Sequence, residues 1–229
     1  MKPIQNLAEI VFPETCNTCN KRIFQKSDLF CVTCMNEMEY THIKNYTDNI
    51  VLDKFKGLLP INNVFSMLFV SKGNLTSQIL YQIKYDGNTH LAENMGVSLG
   101  QQLKNSVFSN ADLLIPIPLH KAKKVLRGFN QSEVLANGIA KVLPIQVDTE
   151  SVIRTKHTSS QTFLSKEARQ ENVKDVFEVV KPALIQNKKI ILLDDVITTG
   201  ATIETCAKEL LKAGANEVML LSLAIANEI

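Results

Sequence analysis

Tryptophan is absent from the 229-residue sequence, and its 7 prolines and 9 glycines are too few and too scattered for linkers or low-complexity arrays. No segment repeats at a fixed period of about 20 to 50 residues, which argues against a solenoid. Charge of one sign is lacking as well. The 25 basic and 23 acidic residues leave a net charge of +2, so any nucleic-acid-binding role must rest on local patches. No run reaches the roughly 20 apolar residues that cross a bilayer, and the most apolar, Val218 to Ala226, falls well short of it. The first residues, Met1-Lys2-Pro3-Ile4-Gln5-Asn6, lack the apolar core of a secretion signal. The expected location is therefore the cytoplasm, without membrane insertion, where thiols stay reduced. What is abundant is apolar: a hydrophobic fraction of 45% is ample for a packed core. The length suits one large domain, or a medium one with a small appendage.

Of the 5 cysteines, Cys16, Cys19, Cys31 and Cys34 form two Cys-x-x-Cys pairs separated by 11 residues. Each pair makes a tight knuckle that turns two sulfurs to one side. Two knuckles together supply the four thiolates that tetrahedral Zn²⁺ prefers. The segment has few large apolar residues, so a metal would replace its missing core. Four protein ligands leave no open position, which marks a structural rather than a catalytic site. Two redox motifs or unrelated thiols are the alternatives, and the doubled motif weighs against both. The organisation read from this is a zinc-binding module over residues 1–40 and a larger domain over 41–229. Cys206 stands apart on a helical face with Ile203, Ala207, Leu210 and Leu211, where core packing explains it.

Beyond about residue 40, short apolar runs alternate with helical periodicity. Val64 to Val70, Leu113 to Ile117, Ile190 to Leu193 and Val218 to Ile225 read as strands. Leu75, Ile79 and Ile83 recur at helical spacing, as do Leu91, Met95, Leu99 and Leu103. Asn130 with Glu133 resembles a capping box that opens a helix carrying Leu135, Ile139, Val142 and Leu143. A further helix runs from about Thr202 to Ala213 and ends at Gly214. Apolar strands alternating with helices predict a parallel α/β sheet with helices on both faces. Ligands of such sheets sit at the carboxyl ends of the strands.

One such end is Ile190-Ile-Leu-Leu-Asp-Asp-Val-Ile-Thr-Thr-Gly-Ala-Thr202. A buried strand ends in the carboxylates of Asp194 and Asp195, and Thr198, Thr199, Gly200, Ala201 and Thr202 then lead into a helix. Hydroxyls and free backbone N–H groups at a helix start make a phosphate cradle. Gly200 lets the backbone approach the phosphate oxygens closely. Carboxylates one loop-width away suit the vicinal hydroxyls of a sugar, so the pair of features describes a ribose 5-phosphate. No Walker A spacing is present.

A second end is Ile115-Pro-Ile-Pro-Leu-His120, followed by a basic loop with Lys121, Lys123, Lys124 and Arg127, four positive charges in seven residues without an acid, and then by Gly128-Phe-Asn-Gln131. Such a loop holds a pyrophosphate or a nucleic-acid backbone, unless it is merely solvated. A third stretch, Arg154-Thr-Lys156-His-Thr-Ser-Ser-Gln161 with Leu164, Arg169 and Asn172, is polar and lacks periodicity until a short helix near Lys166. Its composition is that of a mobile lid or of an ordinary surface loop.

The acids and the threonine-rich turn resemble the phosphoribosyl pyrophosphate (PRPP) motif of type I phosphoribosyltransferases. The resemblance implies that Asp194 and Asp195 hold the ribose hydroxyls, that Thr198 through Thr202 bind the 5-phosphate, and that Mg²⁺ bridges ribose hydroxyls and pyrophosphate. Together with Pro-Ile-Pro-Leu-His, Arg-Gly-Phe-Asn-Gln, Arg-x-Lys-x-Thr-x-x-Gln and the preceding four-cysteine knuckle, the chain is similar to the ComF family over nearly its whole length. By that resemblance His120 to Arg127 is the pyrophosphate loop and Arg154 to Gln161 the loop that closes over PRPP. Lys84-Tyr85 is a looser counterpart of a substrate contact. Lys123 and Lys124 stand where relatives often carry Arg, and lysine binds phosphate as a point charge without a bidentate fork.

The family's implication is a cytosolic competence factor that binds PRPP and single-stranded DNA during DNA uptake, with a helicase of the uptake machinery as protein partner. The expected DNA face comprises Lys121, Lys123, Lys124, Arg127, Arg154, Lys156 and Arg169. Aromatics for base stacking are thin: Phe129 and Phe163 lie near the basic stretches, and core packing accounts for Phe129. An active transferase, moving phosphoribose to a nitrogenous acceptor, is the alternative, and a module that binds PRPP without turnover is a third possibility.

Overall fold

The computed structural model describes residues 15–23, 29–155 and 176–227. Its centre is a five-stranded sheet built from β1 (Val64–Val70), β2 (Leu113–Pro116), β3 (Gln146–Val147), β6 (Lys189–Ile197) and β7 (Glu217–Ala226), in the order β1-β7-β6-β2-β3. Every pair in it is parallel. Two short strands, β4 (Val152–Arg154) and β5 (Phe177–Val179), form a separate antiparallel pair. The helices are α1 (Val32–Glu37), α2 (Ile50–Asp53), α3 (Leu75–Tyr85), α4 (Thr89–Leu103), α5 (Lys121–Arg127), α6 (Gln131–Ala140), α7 (Pro182–Ile185) and α8 (Ala201–Lys212).

The sheet is covered on both faces because its central strands are continuously apolar over Ile190–Leu193 and Val218–Leu221. Ile191, Leu193, Met219 and Leu221 join Ile79, Leu99 and Leu135 in one apolar cluster under α3, α4 and α6. Their neighbours Ile190, Leu192, Val218 and Leu220 join Ile203, Cys206 and Leu210 of α8 in a second cluster. Successive side chains of a strand point to opposite faces, so a continuous apolar run is the pattern that a doubly covered sheet requires. Outside β1, residues 39–41 run antiparallel along its edge: Phe69 N donates to Glu39 O and Thr41 N to Met67 O. That cover removes an exposed strand edge. No helix among the described residues is long and apolar enough to cross a membrane.

β6 does not stop before its acids. It keeps register with β7 through Asp194 opposite Ser222 and on to Ile197 opposite Ile225. β7 is just as long and as apolar, so it offers ladder partners past the point where the carboxylates break the sequence pattern. The neighbouring β2 ends earlier, at Pro116 opposite Leu193. The segments that follow β2 and β6 thus leave the same end of the sheet side by side.

Asn130 caps α6, although not through a reciprocal box. Its side chain accepts from Ser132 N and donates to Ile117 O, and Glu133 pairs instead with Lys124. α6 crosses α4 at two glycines. A Cβ on Gly138 would lie 2.0 Å from Glu93 O, and one on Gly96 would lie 2.2 Å from Leu135 O. Helix backbones can approach that closely only where side chains are missing. The variant Gly138→Ala is expected to lose about 1–3 kcal/mol of unfolding free energy through forced separation of the helices, as measured by urea denaturation. An unchanged midpoint would show that α4 and α6 are not packed in this way.

Candidate functional site

The cysteines fold as two unlike knuckles. Asn20, at φ 57, closes the first by donating its N–H to Cys16 O. In the second, Met35 N donates to Cys31 O, so the turn runs directly into α1. All four sulfurs lie within 4.8 Å of one another, and those of Cys19 and Cys31 are 3.6 Å apart. A tetrahedron with Zn–S bonds of about 2.3 Å has edges of about 3.8 Å, so the four residues fit a structural zinc ion. Cys16 and Cys34 are buried, and Cys19 faces solvent. The knuckles are seated on the larger domain: Cys16, Phe30, Cys34 and Met38 share an apolar cluster with Met67 and Met95, and the Gln82 side chain of α3 donates to Asn17 O. Cys206 is buried in the α8 face, and that burial pushes its thiol well above the usual range.

Asp194 and Asp195 sit side by side on the middle strand. Asp194 Oδ1 accepts from Asp195 N at 2.9 Å and from Ser132 Oγ at 3.3 Å. Asp195 Oδ2 is 2.9 Å from the Lys84 ammonium of α3. Burial, and then the adjacent Asp195 carboxylate, raise the Asp194 pKa from 3.8 to about 7. Just beyond, Thr198 through Thr202 line a shallow cleft together with Asp194. Gly200 turns the chain at φ 83, where a Cβ would come within 2.8 Å of the Phe55 ring. Only glycine fits there, and the turn delivers the first amides of α8 toward the cleft. Free amides and hydroxyls at a helix start, with two carboxylates alongside, can hold an anion at one end and hydroxyls at the other.

The stretch read as a basic loop is the helix α5. His120 Nδ1 accepts from Ala122 N at 3.2 Å, and Gly128, at φ 83, closes the other end with its N–H on Lys124 O. Lys, Ala, Leu and Arg are good helix formers, and caps at both ends hold a helix that buries nothing. Phe129, expected in the core, is half-buried and belongs to neither apolar cluster. Lys123 lies close enough to Arg154, Arg127 and Lys84 that, after burial, these cations depress its pKa. Arg154, at the end of β4, stacks its guanidinium 5.3 Å from the Phe177 ring and feels the Asp194 charge.

Asp194, Asp195, Thr198–Thr202, Lys123, Arg127 and Arg154 therefore converge at one end of the sheet. Lys121 and Lys124 lie on more exposed positions of α5. Lys156, together with Gln161, Phe163, Leu164, Lys166, Arg169 and Asn172, lies outside the described residues. Ser132 was missed by sequence reasoning. Lys84 was only loosely assigned, because nothing in a helical repeat shows that its last turn overhangs a distant strand end. Among the described residues the cysteines are the only group of three or more metal-ligating side chains. An Mg²⁺ ion at the acids would therefore have to arrive with oxygen ligands of the bound substrate.

Residues 130–228 match the phosphoribosyl transferase domain family, from the cap of α6 to beyond the end of β7. Sheet order and match together make this a type I phosphoribosyltransferase-like protein. The chain is 32% identical over 148 residues to the DNA utilization protein YhgH of Shigella flexneri, across 63% of this chain and 64% of that relative. It is 27% identical over 212 residues to competence protein F of Haemophilus influenzae, across 91% of this chain and 89% of the relative. It is 31% identical over 142 residues to competence protein ComFC of Streptococcus pneumoniae, across 61% and 59%. The chain is thus similar to competence proteins F and ComFC and carries a phosphoribosyl transferase domain match.

Two outcomes follow from this geometry. The wild-type chain is expected to purify with about one zinc per molecule by elemental analysis. Cys34→Ser should lose the metal and melt at lower temperature, because zinc binding is coupled to folding; a metal-free wild type of equal stability would refute the site. At the acids, the native state binds the Asp194 proton more tightly than the unfolded chain does. Stability should therefore fall as pH rises from about 4 to about 7 and then level off. Asp194→Asn removes that loss and should stabilise the protein at pH 8 by on the order of 2 kcal/mol, with little effect at pH 4. Equal stabilisation at both values would contradict the raised pKa.

Proposed function

We propose that this chain binds PRPP at the carboxyl end of its sheet and single-stranded DNA on the adjoining basic surface, and that it serves in the cytoplasm as a competence factor during DNA uptake. The observation that carries the PRPP reading is the juxtaposition of Asp194 and Asp195 with the Thr198–Thr202 turn at the end of one strand. The carboxylates accept hydrogen bonds from the ribose hydroxyls, and the amides and hydroxyls of the turn hold the 5-phosphate. Lys123, Arg127 and Arg154 face the pyrophosphate. Burial, and then the nearby Arg154 and Arg127, depress the protonation of Lys123, so a multiply charged anion relieves that repulsion. Lys84 must yield the Asp195 oxygen it holds at 2.9 Å when the ribose arrives. The names carried by the Haemophilus and Streptococcus relatives support the competence role.

A transferase is a second reading, favoured by the same gathered cations. A nitrogen nucleophile would form a bond to C1 of PRPP as the C1–O bond to pyrophosphate breaks, and the nitrogen would then lose its proton. Lys123, Arg127 and Arg154 would stabilise the leaving pyrophosphate.

Calorimetric titration with PRPP and Mg²⁺ is the test. The wild type should bind, and Asp194→Ala/Asp195→Ala should weaken binding about a hundredfold or more, since charge-assisted hydrogen bonds to both hydroxyls are lost. Absence of heat with the wild type would refute the reading. Pyrophosphate release that requires an added nitrogenous acceptor would place the chain among the active transferases.

A further inference from the structure

Beside the carboxylates lies an aromatic patch that PRPP leaves unused. Tyr81 and Tyr85 stand one turn apart on α3, with ring centroids separated by 5.0 Å. They are 57% and 66% exposed, unusual for side chains with so much apolar surface. The Arg127 guanidinium lies 5.6 Å over the Tyr85 ring, and Leu126 next to it is 90% exposed. α3 and α5 thus present a ridge of flat rings, a stacked guanidinium and a leucine that nothing among the described residues covers.

Two cavities flank the ridge. One, of about 480 Å³, is lined by Lys84, Tyr85, Lys123, Leu126 and Arg127; the other, of about 540 Å³, is lined by Lys72, Ser77, Gln78 and Tyr81. Asp86 borders both, so they adjoin along α3. Each is large enough for a nucleotide-sized group, in the range of about 300 to 1,000 Å³. Lys72 lines one cavity, and Lys84, Lys123 and Arg127 line the other.

We propose that the Tyr81–Tyr85 ridge, with Arg127 and Leu126, is a stacking platform for successive bases of a single-stranded nucleic acid whose phosphates lie against Lys123 and Arg127. It rests on the strand-binding reading above and gives that reading a face. Rings and guanidinium planes stack on any base, so the platform carries little sequence preference. Bases paired inside a duplex keep their faces occupied, so the platform selects single strands. Two cavities in series suit a strand better than one free base.

The test uses the full chain with a fluorescent thymidine oligonucleotide, followed by anisotropy at low salt. Tyr81→Ala/Tyr85→Ala should weaken binding about tenfold or more, the loss expected for one to two stacked bases. Tyr81→Phe/Tyr85→Phe, which keeps the faces, should stay within about twofold of wild type. The chain has 4 tyrosines and no tryptophan, so quenching of tyrosine emission by unlabelled oligonucleotide reports stacking directly. Wild-type binding that the alanine pair leaves unchanged would overturn the platform while leaving strand binding in place. A wild type that binds no oligonucleotide would overturn both. Equal affinity for a duplex of the same sequence, or alanine-sensitive binding to anionic lipid vesicles with unaltered oligonucleotide binding, would also overturn the platform.

Discussion

Two adjacent carboxylates at the end of a buried central strand are the constraint on which the rest of this structure depends. β6 is fully buried from Ile190 to Leu193, and a strand sealed on both faces leaves Asp194 and Asp195 little water. Burying charge is costly unless partners are supplied. Here they come from other elements: Lys84 at the end of α3, Ser132 at the start of α6, and Arg154 at the end of β4. Even so, the Asp194 pKa stands near 7. An arrangement that keeps two acids together despite this cost is expected where they bind something, and the threonine turn one step along the chain is what the proposed sugar-phosphate site rests on.

α3 ties the parts of the molecule together. Within five residues its last turns offer Tyr81 to the exposed ridge, Gln82 to the carbonyl of Asn17 in the first cysteine knuckle, Ile83 to the core, Lys84 to Asp195, and Tyr85 to Arg127. The cysteine knuckles therefore bear on the helix that carries Lys84 through the Gln82–Asn17 hydrogen bond. Anything that loosens the knuckle loosens the helix that carries Lys84 and both tyrosines.

Much of this was legible in the residues. Runs such as Ile190–Leu193 and Val218–Ile225 can be buried on both faces only in a covered parallel sheet, and paired Cys-x-x-Cys spacing limits where four sulfurs can go. The threonine turn was readable because its chemistry is local. Features that depend on tertiary neighbours were not. β6 continues through its acids because β7 runs beside it, which no single strand reveals. α5 has no apolar stripe, so a period-based reading finds a loop where caps at His120 and Gly128 hold a helix. The β4–β5 pair joins residues from either side of a long polar stretch, and its three-residue strands are too short to alternate visibly. The exposure of Tyr81 and Tyr85 is likewise a property of the surface, because their spacing alone fits core packing equally well.

The central claim is that β6 and the turn after it form a ribose-phosphate site, and amide chemical shifts test it most directly. On titration of the ¹⁵N-labelled protein with ribose 5-phosphate, the account predicts saturable shifts of the Thr199, Gly200, Ala201 and Thr202 amides, with Asp194 and Asp195 following, while the cysteine knuckles stay unmoved. Shifts confined to the lysines of α5, or none at the turn at saturating ligand, would contradict it.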